Sequence, residues 1–213
     1  MINLNKLSIS YWNKFYKKKN ISNKPTKFAV FCFKFLKLRQ ETLFDLGCGN
    51  GRDTAFFIRN GINTIGLDLS TNVIKNNKKK YKFFSKNFKK GNFCEFFKKK
   101  IDKKFSIYSR FTLHSINAKN EKKLFSHINK QKNIEYFFIE TRTTQDEFYG
   151  VGEKVGKNEY ISNHYRRFIE PRDLKKKVSK KFKIIYFKQS KSFAVYKKYK
   201  PNVLRIIAKR RTT

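Results

Sequence analysis

Cysteine is scarce, and its placement excludes two kinds of protein. Cys32, Cys48 and Cys94 make neither a CxxC pair nor an even set, so no disulfide framework is available, and no Cys/His cluster implies a metal. A reducing cytoplasm suits such thiols. Long apolar runs are also missing. The opening MINLNKLSISYWNKFYKKK has no apolar stretch of signal-peptide length, and no later segment approaches the ~20 uncharged apolar residues of a membrane span. The expectation is a cytoplasmic protein with no membrane span. Acidic residues are few as well: 15 Asp and Glu stand against 52 Lys and Arg, for a formal charge of +37 at pH 7. That balance ordinarily points to nucleic acid or another anionic surface. Only 11 of the 52 are Arg, however, and Asn, Ile, Phe and Tyr, the residues of A/T-rich codons, crowd the chain. The charge therefore reads as largely compositional, and nucleic acid is not the favoured partner.

What is present suffices for a folded core. Of 213 residues, 39% are hydrophobic and 17% aromatic, with 24 Phe and 11 Tyr. That apolar area can offset the entropy of ordering one domain, expected to span residues 1–213. Tyr11, Trp12, Phe15 and Tyr16 predict one aromatic face of a short helix from Ser10 to Lys19. Phe28, Phe31, Cys32, Phe35 and Leu36 predict an amphipathic helix after Pro25. From Thr42 the chain alternates. The strand TLFDL meets GCGNG, RDTAFFIRNG reads as a helix closed by Gly61, and INTIGLDL is a strand followed by a helix capped by Ser70. Such alternation predicts a parallel sheet. A third strand is expected just before Gly91, a fourth at FSIYS, a helix over Lys119–Lys130 with His127 at its surface, and a fifth strand at IEYFFIET. Residues 142–170 hold Gly150, Gly152 and Gly156 with no clear period and are expected to form an insert over one end of the sheet. Pro171–Lys180 predicts a helix, and KIIYF, SFAVY and VLRIIAK read as strands.

The motif that carries chemistry is LFDLGCGNG, from Leu43 to Gly51, between a strand and a helix. Its glycines let the backbone turn tightly and approach a ligand, and the following helix offers free N–H groups to an anion. A dinucleotide-binding fingerprint needs a third glycine where Arg52 stands, and it gives no role to Asp45, which would repel a pyrophosphate.

Asp45 with Gly47, Cys48, Gly49, Asn50 and Gly51 resembles the first motif of the class I S-adenosylmethionine-dependent methyltransferases. In that family an acid ending the second strand accepts both ribose hydroxyls. Asp68 in GLDLS, 23 positions after Asp45, occupies that place, with Leu69 beside it. The resemblance implies S-adenosyl-L-methionine as cofactor and an α/β, Rossmann-like, mostly parallel seven-stranded sheet flanked by helices, with N-terminal lid helices in residues 1–40. It further implies that Tyr11 and Tyr16 contact the methionine portion, aromatic packing being the alternative. Asn92 and Phe93 follow the third strand, where the family contacts the adenine, although an acid is commoner there. After the fourth strand, nearest the methyl group, the chain reads YSRFTLHSI. This is not the Asn/Asp-Pro-Pro-aromatic motif of methyltransferases acting on nucleic acid bases. With ETRTTQDEFYG and HYRRFIEP, it is similar to a bacterial subgroup associated with surface-polysaccharide biosynthesis.

In a chain so rich in Lys, Arg should mark sites that need a bidentate fork. Arg110, Arg142 and one of Arg166 and Arg167 are expected to converge into a site for phosphate or carboxylate, with Glu140 orienting Arg110 or Arg142. His114 is placed to take a proton from the acceptor, and His164 lies in the substrate-side insert; a structural, hydrogen-bonded role is the alternative for each. These residues describe methyl transfer to a small or glycan-linked acceptor, with Arg110 and His114 catalytic and Arg142, Glu140, His164, Arg166 and Arg167 binding the acceptor. An RNA or DNA methyltransferase and a non-catalytic cofactor-binding protein are the rival readings.

Overall fold

The computed structural model describes residues 4–16, 21–36, 41–196 and 198–211. Helices α1 (Leu4–Tyr16) and α2 (Lys27–Leu36) come first. They are followed by β1 (Thr42–Leu46), α3 (Arg52–Arg59), β2 (Thr64–Asp68), α4 (Thr71–Lys80), β3 (Phe88–Lys90), α5 (Phe93–Phe96), β4 (Phe105–Arg110), α6 (Ala118–Lys130) and β5 (Ile134–Arg142). Three short strands, β6 (Glu153–Gly156), β7 (Glu159–Ile161) and β8 (Tyr165–Arg167), precede α7 (Pro171–Ser179), β9 (Phe182–Ser190) and β10 (Val203–Arg210).

Seven strands form one sheet in the order β3-β2-β1-β4-β5-β10-β9. Strands β1 to β5 pair in parallel, and β10 lies antiparallel between β5 and β9. This is the mostly parallel, Rossmann-like sheet that the alternation predicts. The inner strands β1, β4, β5 and β10 are buried on both faces, so they read as nearly continuous apolar runs. Side chains alternate across the sheet: Phe44, Leu46, Ile107, Phe137 and Ile139 join one core with α5, α6 and α7, while Leu43, Tyr108, Phe138 and Ile207 join another with α2 and α3. Helix α2 buries Phe28, Ala29, Cys32 and Leu36, a period-3.6 stripe. Ser70 Oγ accepts the Val73 N–H at 3.1 Å and starts α4 where the sequence places it.

One buried acid ties these layers together. Asp53 accepts Thr26 N–H at 2.8 Å, Thr26 Oγ1 at 2.8 Å and the Tyr108 hydroxyl at 2.9 Å. The segment before α2, the start of α3 and the middle of β4 are thereby joined at one carboxylate.

The structure departs from expectation in four places. The insert is not irregular: β6, β7 and β8 make an antiparallel sheet, with strands of three or four residues, too short for alternation to show. SFAVY forms no strand; Val195 and Tyr196 are exposed and Tyr196 makes one isolated bridge to Tyr199, because β9 and β10 already fill that edge of the sheet. Helix α1 begins at Leu4 rather than Ser10, and the expected end at Lys17, Lys18 and Lys19 lies outside the described residues, as do 1–3, 20 and 37–40 of the expected lid segment. His127 is half-buried rather than at the surface, its Nδ1 2.8 Å from the Cys94 carbonyl. Among the described residues, no helix is long and apolar enough to cross a membrane.

Candidate active site

The carboxyl ends of β1, β2 and β4 surround an open cleft of about 790 Å³. Ligands of open α/β sheets bind at this end. The chain leaves β1 through Gly47 and Gly49, with φ of 65° and 52°, in the left-handed region that glycine enters without strain. A side chain is also excluded by space. A Cβ at Gly49 would lie 2.2 Å from the Tyr16 hydroxyl oxygen, and one at Gly47 2.7 Å from Thr112 Cγ2. The loop is therefore a bare backbone cradle roofed by Tyr16. Asp68, ending β2, accepts Gly49 N–H at 3.1 Å and Ser70 N–H at 2.9 Å. Burial raises its pKa, and those N–H groups partly oppose the rise.

Of the residues expected to hold a cofactor, Tyr16, Gly47, Asp68, Leu69, Asn92 and Phe93 wall this cleft. Asn92 also caps α5, its Oδ1 accepting Cys94 N–H at 3.0 Å. The others face elsewhere. Tyr11 stacks on His164 with ring centroids 4.0 Å apart. Asp45 is buried and accepts Thr54 Oγ1 at 2.6 Å; burial, and then the neighbouring charge of Asp53, push its pKa up to about 8. Cys48 lies buried beneath Asn77, Asn50 donates to the Ser22 carbonyl at 3.1 Å, and Gly51 backs onto Phe88 and Tyr81.

Sequence reasoning missed Trp12, Phe111, Thr112 and Ser115, which also line the cleft. A signal for Trp12 existed. Residues four apart share a helix face, so Trp12 pairs with Tyr16, whereas Tyr11 is turned away from it. For Phe111 there was none. Its φ of 57° is rare for a bulky side chain, and such backbone strain concentrates at functional sites.

A sequence-family model described as a methyltransferase domain matches residues 43–131, from β1 to the end of α6. A S-adenosylmethionine-dependent methyltransferase from Archaeoglobus fulgidus superposes with a TM-score of 0.66 at 19% identity, covering 94% of this chain and 100% of that one. One from Anabaena variabilis ATCC 29413 gives 0.66 at 18%, covering 99% and 96%. Glycopeptide N-methyltransferase MtfA, complexed with S-adenosyl-L-methionine, gives 0.60 at 16%, covering 91% and 90%. No curated protein matches the chain by sequence. Residues 43–131 thus match a methyltransferase domain, and the chain has the fold of S-adenosylmethionine-dependent methyltransferases.

Beyond the cleft wall the chain gathers cations. Phe111 separates the two regions: the Arg110 guanidinium lies 4.4 Å from its ring centroid, that of Arg142 5.6 Å, and the His114 ring 5.2 Å. Glu140, 1% exposed, is shared by two guanidiniums, accepting Arg110 Nε at 2.9 Å and Arg205 Nε at 2.7 Å. Arg142 pairs with buried Asp146 at 3.1 Å and donates to the Tyr199 hydroxyl. Arg166 donates to Ser162 Oγ at 2.8 Å and lies over Phe148, with no carboxylate partner among the described residues. Four guanidiniums thus share two carboxylates. Arg167 does not belong here: it is buried against Glu121 and donates to the Ile116 and Leu113 carbonyls, pinning the loop after β4. Of the two adjacent arginines, the first joins the cluster and the second is structural.

His114 sits within this field, 3% exposed, and its ring is not part of the cleft wall. Burial and then the charge of Arg142 hold its pKa well below the usual imidazole value, with His164, Arg166 and Arg110 adding to the effect. His164, under Tyr11, is pushed down to about 3 by burial and by Arg166 and Arg142. Both imidazoles are neutral at physiological pH.

Proposed function

We propose that this chain is a methyltransferase that holds S-adenosyl-L-methionine in the cleft lined by Tyr16, Gly47 and Asp68 and transfers its methyl group to a small or glycan-linked acceptor bearing phosphate or carboxylate. The observation that carries the reading is Asp68, whose carboxylate ends β2 at the cleft wall beside a side-chain-free loop. Asp68 accepts the ribose hydroxyls, Leu69 and Phe93 enclose the adenine with Asn92 at its edge, and Tyr16 and Trp12 cover the methionine portion. The cofactor supplies an electrophilic methyl group, so the protein's task is to align a nucleophile and remove a proton. Phe111, Thr112 and Ser115 form the wall along which the acceptor approaches. Arg110 and Arg142, both beside the Phe111 ring, orient it, with Glu140 fixing Arg110. His114, kept neutral, receives the proton.

Asp45 supports this cradle from behind. Holding a proton of its own while it accepts the Thr54 hydroxyl, it keeps a second buried charge away from Asp68. The glycan-linked option fits a fold that also serves glycopeptide N-methyltransferase MtfA. The +37 charge is carried on solvated faces: Lys75, Lys78, Lys79, Lys80, Lys82, Lys86, Lys89 and Lys90 are all exposed. RNA binding from such a source falls steeply with salt. Sequence-selective RNA binding that persists at physiological salt would displace the small-acceptor reading. Calorimetric titration with S-adenosylhomocysteine tests the cofactor site. Asp68→Ala removes a charged acceptor of two hydroxyls and should weaken binding by about 1.5–3 kcal/mol. Unchanged affinity in a folded variant overturns the assignment.

A further inference from the structure

Three buried side-chain nitrogens in one neighbourhood have no hydrogen-bond partner: His114 Nδ1, Arg142 Nε and Arg166 Nε. They come from three elements, the loop after β4, the end of β5, and β8. Arg142 and Arg166 flank an aromatic pair, with Arg142 4.9 Å from the Tyr199 ring, Arg166 5.3 Å from that of Phe148, and the two rings 4.8 Å apart. Both guanidiniums and His164 act electrostatically on His114. Buried polar groups are nearly always satisfied, and a buried cation without a counter-ion is unfavourable. Two guanidinium donors and an imidazole nitrogen without partners, in a cluster with more guanidiniums than carboxylates, describe the complement of one chemical group, an oxyanion.

We infer that His114, Arg142 and Arg166 form an oxyanion subsite for the phosphate or carboxylate of the acceptor, an assignment that rests on the methyl-transfer reading above. Arg142 pairs with Asp146 through Nη1 and leaves its Nε free, whereas Arg110 and Arg167 are not part of the subsite, since their Nε atoms already donate to Glu140 and to the Ile116 carbonyl. The subsite lies across Phe111 from the cofactor cleft, so the anionic group is not the one methylated. It anchors the acceptor at one end while the nucleophile reaches the cleft at the other. Entry is from the side of Ser162 and Asn163, which are exposed, beside half-buried His164. A bound oxyanion also offsets the cations around His114 and restores its capacity to take a proton.

The test is titration of inorganic phosphate into the full chain at ionic strength held constant with sodium chloride, followed by calorimetry and by the ring resonances of His114. Saturable binding that moves those resonances, weakened about tenfold or more in Arg166→Gln or Arg142→Gln, is the expected result. Acetate in place of phosphate identifies the group, since the tighter of the two names it. Titration with saturating S-adenosylhomocysteine present separates acceptor from cofactor: phosphate binding retained supports the assignment, and binding abolished shows that the cofactor's own carboxylate fills the site and overturns it. Equal phosphate binding by wild type and both variants overturns it too, as a property of surface lysines. Should neither variant fold, His114 resonances that respond no differently to phosphate than to chloride overturn it in the wild type. Failure of S-adenosylhomocysteine to bind while phosphate still does would count against the cofactor reading and leave the subsite standing.

Discussion

Asp53 takes three hydrogen bonds from Thr26 and Tyr108; His114, Arg142 and Arg166 each keep a buried nitrogen with no partner. Both clusters are charged, buried and assembled from distant segments, yet only the first is complete within the chain. A complete cluster stabilises the fold. An incomplete one is tolerated where a ligand completes it, and stability is commonly given up at such sites. The difference separates structural from functional polarity without reference to any relative.

The widest test of that contrast is catalytic. His114→Ala should lower single-turnover methyl transfer by about 10²–10⁴-fold with cofactor affinity little changed, the usual contribution of a positioned base. Wild-type turnover in the variant between pH 6 and 9 would make His114 structural and erase the contrast. On the complete side, Asp53→Ala strands the buried Thr26 N–H, leaves the Thr26 and Tyr108 hydroxyls only each other, and should cost about 3–5 kcal/mol in urea unfolding. A loss under 1 kcal/mol would deny that cluster its structural role. Asp45 sharpens the comparison through pH. Its pKa near 8 in the folded chain exceeds that of the unfolded chain, about 4, so the folded state holds the proton more tightly. Its contribution is full below about pH 4 and is lost as pH rises towards about 8. Asp45→Asn, which keeps a partner for Thr54, should make that decline in melting temperature shallower. The smallest effect belongs to the incomplete side: Arg166→Gln removes an uncompensated cation and should leave stability within about 1 kcal/mol of wild type. A loss like that of Asp53→Ala would show that Arg166 is structural after all.

The cofactor half was legible because its signals are local. Asp45, the glycines and Asp68 sit at fixed offsets within two adjacent strand–loop units, and backbone geometry there permits few residue types. The acceptor half is written in pairings that no spacing reveals. Glu140 was expected to orient Arg110 or Arg142 and binds Arg110, but its second partner, Arg205, lies 65 residues away. Whether Arg166 or Arg167 faced the cluster was open from sequence, and strand alternation in β8, which turns neighbours to opposite sides, decides it. Even in the legible half, side-chain direction was not: Asp45 and Cys48 belong to the motif and point away from the cleft.

Helix α1 covers both ligand regions with neighbouring residues, Trp12 and Tyr16 over the cleft and Tyr11 over His164. A displacement of that one helix which admits either ligand also uncovers the place of the other. With ligands at the two proposed sites, the first to enter would meet the work of moving the helix and the second would enter a site already prepared, which would be heterotropic cooperativity without direct contact between the ligands. By linkage the effect is mutual: acceptor tightens cofactor by the same factor by which cofactor tightens acceptor.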